Sequence, residues 1–271
     1  MGTAHHTLSR AATTYIGNKK REQTQRYLGE EVKDKKADNG KGDRMAQRPV
    51  FYVSTRIPYY REEMVTFQFS PGFAVVQKQK NIQEIHRAFI AKHRNARPLE
   101  ISSKSETLLG IQLSAFNLHI SINGTDTTVE SAFQSSKVFR DGGPYTDLLY
   151  RLPYEAKKDP RLQESGPLTG FDFDGQVFPL WPRTFFYDWL YINAVHTNKD
   201  LMEKLCQYNC FTDIEFNPQK SINCQARSAA IYVSLNAANM IDEAVSSPRE
   251  FKRIVYGEDS TPPEQQLSLF E

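Results

Sequence analysis

The run from Thr127 to Phe139 constrains the fold more than any other stretch, because its side chains separate onto two faces of a helix. At about 100° per residue, one face is apolar and can enter a core; it holds Val129, Ala132, Phe133, Ser136 and Phe139. Glu130, Gln134 and Lys137 form a narrow polar stripe beside that face. The run therefore predicts a central helix that brings a carboxylate, an amide and an ammonium together.

The same polar stripe also has a purely structural interpretation. Thr127 would cap the helix, Glu130 would close a T-x-x-E capping box, and Lys137 would pair along a solvated face. The two interpretations differ in what the Glu130 carboxylate contacts, which is either a cavity or only the cap of its own helix.

Composition excludes several classes of protein. Hydrophobic residues make up 39% of the 271 residues and charged residues 24%, which is typical of a globular protein in water. No apolar run approaches the roughly 20 residues of a membrane span, and the N-terminus lacks a secretory signal. Cys206, Cys210 and Cys224 are too few for a disulfide framework and lack C-x-x-C zinc spacing. We therefore expect a cytoplasmic protein with reduced thiols and without a metal or other cofactor.

Charge is unevenly distributed along the chain. Residues 1–49 hold 11 basic and 6 acidic residues, although the whole chain carries a net charge of only +2. We predict a flexible basic extension over residues 1–47, a catalytic domain over 48–258 and a flexible tail over 259–271. A basic arm can hold a nucleic-acid backbone without reading its sequence, although many such arms are solvated tails.

A second candidate group is Lys80. The pattern predicts a strand from Phe73 to Lys80, followed by a helix that Asn81 caps and that buries Ile82, Ile85, Phe89 and Ile90. Lys80 would then lie beside the positive end of a helix, whose field favours the free amine over the ammonium. Such a lysine can act as a nucleophile; the alternative is an ordinary exposed lysine.

Other segments complete an α+β prediction, mainly helical with a small sheet. Strands are expected near residues 50–54, 64–69 and 211–216, and helices over 184–196 and 226–240. Residues 140–182 are predicted to form a long connection, and loops of this length often line a binding or active site. The hydroxyls and the cation of residues 99–105 follow a short strand, where they can hold a pyrophosphate.

Several of these blocks resemble one known family. The turn 113–116 and the Glu130, Gln134 and Lys137 pattern resemble the NADAR (YbiA-like) signature, an S-N-F turn before an E-H-x-x-Q-x-x-K helix. Further blocks resemble the DarT-associated NADAR antitoxins: residues 71–73 with 77–80, 99–105, 186–191 and 211–216. The resemblance spans roughly residues 48–255. Ala115 replaces the usual Asn, Ser131 the usual His, and residues 217–227 stand where a W-G-x-G element is expected.

The resemblance implies an N-glycosidase that removes ADP-ribose from guanine in DNA, and so acts as the antitoxin of a DNA ADP-ribosyltransferase toxin. Other members act on a riboflavin-pathway intermediate, and the departures weaken transfer of that substrate. Two alternatives stay open: a hydrolase of a small phosphoribosylated nucleotide, and a non-catalytic ADP-ribose-binding antitoxin or adaptor.

The resemblance also suggests roles for residues. Glu130 would stabilise the oxocarbenium ion or activate water, and Lys80 would attack the anomeric carbon or form a Schiff base. Ser103 and Lys104 would hold pyrophosphate, and Phe116 and Trp189 would stack on the base or enclose the ribose. The remaining residues expected to line the pocket are Ser114, Gln134, Lys137, Asp188, Glu215 and Asn223.

The C-terminal tail carries a separate prediction. After two prolines, the chain ends in a peptide that resembles the bacterial sliding-clamp-binding motif. Gln266 would hydrogen-bond to the clamp, and Leu267, Leu269 and Phe270 would anchor in its groove. The alternative is that these apolar side chains fold back onto the domain itself.

Overall fold

A computed structural model describes residues 44–258. The predicted extension up to residue 43 and the tail from residue 259, including the clamp-binding peptide, lie outside the described residues. The strands are β1 (Met45–Tyr52), β2 (Arg61–Gln68), β3 (Pro98–Glu100), β4 (His119–Ile122), β5 (Thr125–Thr128), β6 (Lys137–Phe139), β7 (Leu168–Phe173), β8 (Gln176–Phe178) and β9 (Cys210–Thr212). The first strand thus begins inside the predicted extension.

Helices dominate the described residues, which confirms the predicted α+β class. They are α1 (Val75–Lys92), α2 (Leu108–Gln112), α3 (Val129–Ser135), α4 (Pro153–Lys157), α5 (Arg161–Glu164), α6 (Phe185–His196), α7 (Lys199–Leu205), α8 (Gln225–Ala237), α9 (Ile241–Val245) and α10 (Pro248–Tyr256), with a 3-10 segment at Thr146–Tyr150. No helix among residues 44–258 has both the length and the apolar character needed to cross a bilayer.

The main sheet has the order β2-β1-β9-β3, and only β3 and β9 run parallel. Parallel strands end at the same edge of a sheet, so the segments that follow them lie close together. The turn at residues 102–105 follows β3, and residues 213–216 follow β9. Ligands of α/β structures bind at this kind of edge.

The helix that carries Glu130 is central but shorter than predicted. Every residue of α3 is buried. Its N-cap is Thr128, whose Oγ1 accepts a hydrogen bond from the backbone N–H of Ser131 at 3.2 Å. The predicted Thr127 cap is wrong, because Thr127 Oγ1 instead donates to the carbonyl of Leu149 at 2.7 Å. The helix ends at Ser135, so Lys137 lies on β6 rather than on the same helical face.

The predicted strand from Phe73 to Lys80 is wrong. Helix α1 begins at Val75, so Lys80 lies in its second turn rather than at its N-terminus. Asn81 is not a cap; its buried side chain accepts from the N–H of Ser70 at 2.7 Å and donates to the carbonyl of Ser70 at 2.9 Å. The apolar pair before Gln77 suits a strand and a helix equally, and packing of the following helical stripe decides for the helix.

Two further boundaries differ from the prediction. The region 140–182 is not a structureless connection, since it holds the 3-10 segment, α4, α5, β7 and β8. The strand predicted over 211–216 ends at Thr212. There the chain leaves the sheet because Glu100 accepts a hydrogen bond from the N–H of Ile214 at 2.8 Å and Asp213 turns the following backbone.

Two groups of buried side chains hold these elements together. One lies between α1 and the main sheet and contains Val50, Val65, Ile82, Ile85 and Phe89. The predicted burial of Ile90 is wrong, because Ile90 is 39% exposed on the outer side of α1. The larger one surrounds α3, α6 and α8. At its centre, the ring of Phe186 packs 4.7 Å from Phe171 and 4.8 Å from Phe178, between ring centroids. Burial of large aromatic rings stabilises this contact by roughly 1.5–3 kcal/mol per residue, so α3 is held on a rigid support.

Candidate active site

Glu130 is a buried carboxylate that its own helix cap does not use. Only 5% of the residue is exposed. Its Oε1 accepts a hydrogen bond from Gln134 Nε2 at 2.9 Å and lies 3.4 Å from the ammonium of Lys157. Its Oε2 makes no hydrogen bond with any of residues 44–258. The second polar atom of the Gln134 amide, Oε1, is buried and has no hydrogen-bond partner in the described part of the chain. An unfilled acceptor beside a buried acid indicates space for a polar ligand.

Two lysines lie beside this carboxylate. Lys137 is half-buried, with its Nζ 5.0 Å from the centre of the Phe133 ring. Burial lowers the pKa of Lys137, the charge of Glu130 opposes that shift, and Lys157 adds to it. Lys157 lies at the end of α4 with its Nζ 5.1 Å from the centre of the Phe116 ring. The half-exposed Phe116 and the ammonium of Lys157 thus border the side of Glu130 that faces solvent.

Tyr187 connects this acid with a second one. Its ring packs edge-to-face on Phe133 with 5.2 Å between centroids. Burial raises the pKa of Tyr187 well above its usual value, and the charges of Glu130 and Asp213 add to that effect. One buried tyrosine therefore lies near the acid of α3 and near the segment that follows β9.

Asp213 is the second acid. Burial, then the nearby Glu100, raises the pKa of Asp213 well above its usual value. The residue keeps partial solvent exposure. Its Oδ1 accepts the backbone N–H of Glu215 at 3.0 Å. Asp213 is therefore a carboxyl group that stays protonated to a higher pH than an ordinary aspartate.

A chain of hydrogen bonds runs from α3 to the segment that follows β3. The N–H of Glu130 donates to the carbonyl of Ala115 at 2.9 Å, and the N–H of Ala115 donates to Gln225 Oε1 at 2.7 Å. Gln225 Nε2 donates to the carbonyl of Ile101, directly after β3, at 2.7 Å, and Gln225 lies close enough to Asp213 to influence the pKa of its carboxyl group. The turn 113–116 is therefore the structural bridge between α3 and the edge of the main sheet.

A comparison with known protein families identifies the family of this chain. The family described as DarT1-associated NADAR antitoxin matches residues 46–265, which is most of the chain and includes both acids. The chain belongs to this NADAR antitoxin family. No curated protein matches it. Membership supports an antitoxin role, and an antitoxin implies a cognate toxin as its partner.

In this NADAR antitoxin, the residues of the predicted phosphate site follow β3. Ser103 is exposed and Lys104 is half-buried. The buried Ser102 shapes the turn, because its Oγ accepts the N–H of Lys104 at 3.1 Å. Ser114 contributes structure to the adjacent turn, since its hydroxyl donates to the carbonyl of Ile111 at 2.7 Å. The substrate contacts predicted for these residues remain predictions.

Lys80 and Glu215 occupy the outer face of the NADAR domain. Lys80 is exposed, and its side chain makes no hydrogen bond or ion pair with any of residues 44–258. The lysine of α1 that reaches the sheet edge is Lys78, whose Nζ lies 3.2 Å from Glu215 Oε1. The helix-end position that motivated Lys80 therefore does not exist, and Lys78 is the nearer amine to the segment after β9.

Asp188 holds the NADAR fold together. Its carboxylate is fully buried and lies 3.1 Å from Arg227 Nη2, with hydrogen bonds from Ser228 at 2.5 Å and Tyr256 at 2.6 Å. These partners occupy both carboxylate oxygens and join α6 to α8 and α10. A substrate contact would have to displace one of them.

The two other predicted pocket residues present unpartnered polar atoms. Trp189 Nε1 and Asn223 Oδ1 are buried and have no hydrogen-bond partner in the described range. The Trp189 ring packs 5.1 Å from Phe178. Both side chains are half-exposed overall, so each combines a buried polar atom with a surface that is open to a ligand.

The sequence prediction missed Lys157, Tyr187, Asp213 and Gln225. Three of them lie inside segments that the prediction named: Tyr187 and Asp213 belong to the 186–191 and 211–216 blocks, and Gln225 to residues 217–227. Only Lys157 lacked a signal, because it lies in a region interpreted as a loop. Its contact with Glu130 depends on how α4 packs against α3.

Proposed function

We propose that this antitoxin is an N-glycosidase that removes ADP-ribose from guanine bases in DNA. The observation that carries the proposal is the buried Glu130 carboxylate, which has one oxygen without a hydrogen bond in residues 44–258 and lies beside the unpartnered Gln134 Oε1. Family membership supports the setting, since reversal of a toxin's DNA modification is an antitoxin activity. We expect the protein to act in the cytoplasm, where chromosomal DNA is accessible.

Hydrolysis breaks the bond between the anomeric carbon of ribose and a guanine nitrogen, and it forms a bond from that carbon to a water oxygen. The anomeric carbon becomes positive as the first bond breaks. Glu130 would stabilise that charge and accept the proton of the attacking water. Gln134 and Lys157 hold the carboxylate in position, because both contact its Oε1.

The departing guanine nitrogen must gain a proton. Asp213 is suited to supply it, because burial and Glu100 raise the pKa of Asp213. Two carboxyl groups with different surroundings can thus divide the acid and base roles, as they do in glycosidases. Hydrogen bonds through Ala115 and Gln225 hold α3 against the segment that follows β3, and the buried Tyr187 lies near both acids.

A route through an amine is the second mechanistic possibility. Its attack on the sugar requires a free amine, and burial lowers the pKa of Lys137 beside Glu130. Lys137 therefore fits this role better than Lys80, which is exposed. Trapping of a covalent complex by borohydride reduction in the wild type, in Lys137→Ala and in Lys80→Ala identifies the amine if a Schiff base forms.

A direct test uses an oligonucleotide that carries ADP-ribosylated guanine. The proposal predicts restored guanine and one released ADP-ribose, both measured by mass spectrometry. Faster turnover of a small phosphoribosylated nucleotide would favour that substrate class instead. Tight binding of ADP-ribosylated DNA without any release would identify a non-catalytic antitoxin and refute the proposal.

A further inference from the structure

We propose that the segment Tyr150–Lys158 binds unpaired DNA next to the modified guanine, with a flanking base stacked on Tyr150. The inference rests on the proposed function and adds the surface that binds the strand on either side of the modified nucleotide. We call this segment the rim.

The first observation is an exposed aromatic ring on a fixed backbone. Tyr150 is 75% exposed. The carbonyls on both sides of it are tied to the helix that carries Glu130 and its preceding strand: Thr127 Oγ1 donates to Leu149 O at 2.7 Å, and Ser131 Oγ donates to Arg151 O at 3.1 Å. An apolar ring held in water by a rigid backbone is pre-organised to stack on a planar partner.

The second observation is the position of the rim beside the candidate active site. Its Lys157 contacts Glu130 Oε1 at 3.4 Å and lies over the Phe116 ring. The 3-10 segment and α4 both pack against α3. A strand whose modified sugar reaches Glu130 therefore has its neighbouring nucleotides near this segment.

The third observation is charge. Arg151 and Lys158 are exposed and make no ion pair with any of residues 44–258. The acids of this region have other partners: Asp147 and Asp159 share Arg161, each at 2.8 Å, and Glu155, which keeps its charge, accepts the N–H of Leu152 at 3.3 Å. Free cations with an exposed aromatic ring are the combination that binds single-stranded nucleic acid.

The test compares two substrates that share the same modified sugar. One is a single-stranded DNA of about twelve nucleotides with one ADP-ribosylated guanine, and the other is ADP-ribosylated deoxyguanosine. Tyr150→Ala should lower kcat/KM for the oligonucleotide by about 5- to 100-fold, as expected from loss of one stacked base. It should leave the value for the deoxynucleoside unchanged, and Tyr150→Phe should preserve both values.

Charge variants give an independent readout. Arg151→Ala and Lys158→Ala should each weaken oligonucleotide binding and reduce its salt dependence, measured by fluorescence anisotropy. The matched control is Lys199→Ala. Lys199 is an exposed lysine at the start of α7, which precedes the N-terminal end of β9, whereas Asp213 follows the C-terminal end. That variant should bind like the wild type.

Two failures are distinguishable. If the wild type releases base from both substrates and Tyr150→Ala changes neither or both equally, the rim inference is wrong while the proposed function stands. If the wild type releases base from neither substrate, the proposed function is wrong and the rim inference fails with it.

Discussion

The Glu130 side chain shows how few neighbours define a candidate catalytic group. An amide from the same helix and an ammonium from α4 contact one of its oxygens, and the other has no hydrogen bond within residues 44–258. This arrangement fixes the position of the carboxylate and leaves one of its oxygens available to a ligand.

Glu130→Gln should therefore abolish most turnover while the fold persists, since the two side chains are nearly isosteric. We expect kcat on ADP-ribosylated oligonucleotide to fall by at least about 100-fold, the usual contribution of an acid–base group. Glu243→Gln, on the exposed surface of α9, is the matched control. Unchanged kcat in Glu130→Gln would move the reaction to another residue.

Asp188 illustrates the opposite use of a buried acid. Asp188→Asn leaves the Arg227 guanidinium without its counter-charge and should lower the free energy of unfolding by about 3–5 kcal/mol. Urea denaturation measures the change. Asp200→Asn removes an exposed pair with Lys204 and should cost about 0–1 kcal/mol. Equal, small effects of both variants would contradict the structural role.

At the scale of elements, α1 is joined to β9 by one buried polar contact. The Thr212 hydroxyl donates a hydrogen bond to Glu100 Oε2 at 2.5 Å, so Thr212 Oγ1 is left to accept one from His86 Nε2 at 2.9 Å. The histidine is neutral in this arrangement, because burial lowers the pKa of His86 to about 4 from 6.5. Glu100 in turn fixes the segment that carries Asp213.

This contact predicts a stability that depends on pH. Between pH 6.5 and pH 4 the unfolded chain binds a proton at His86 and the folded chain does not, so stability falls as pH decreases through that range. The loss from His86 should be about 3 kcal/mol. Urea denaturation at pH 7 and pH 4.5 should show a smaller loss in His86→Gln than in the wild type. The raised pKa of Glu100 makes the protein more stable as pH decreases, which opposes the effect of His86. Glu100 is present in both proteins, so subtracting the loss in His86→Gln from the loss in the wild type removes its contribution.

At the scale of the whole molecule, the candidate site lies where three elements meet: α3, the end of β9 and the turn after β3. The tail from residue 259 lies outside the described residues. If it docks on a sliding clamp, it would bring the antitoxin to DNA without altering the candidate site.

Removal of residues 266–271 should therefore leave kcat on a free oligonucleotide unchanged and abolish binding to purified clamp, measured by surface plasmon resonance. Leu269→Ala with Phe270→Ala in the full chain should behave in the same way. Clamp binding that survives both changes would refute the motif.

Local rules predicted part of the site and of the fold. Residues four apart on a helix are neighbours, and the Glu130–Gln134 hydrogen bond follows from that spacing alone. The start of α10 was also predictable, because Ser247 accepts the N–H of Glu250 at the expected cap. The turn between β4 and β5 was predictable as well, because Asn-Gly favours a tight hairpin turn, and Asn123 and Gly124 have φ of 49° and 78°.

The sequence by itself determined the family, the α+β class and the acid of the central helix, because these depend on short-range spacing and on motif order. Tertiary structure alone decided that Lys157 reaches Glu130 and that Asp188 pairs with Arg227. It also decided that Asp213 and Glu130 both lie near Tyr187. Those contacts join residues far apart in the chain. Their partners are selected by how helices pack and which charges become buried, and no local pattern encodes that choice.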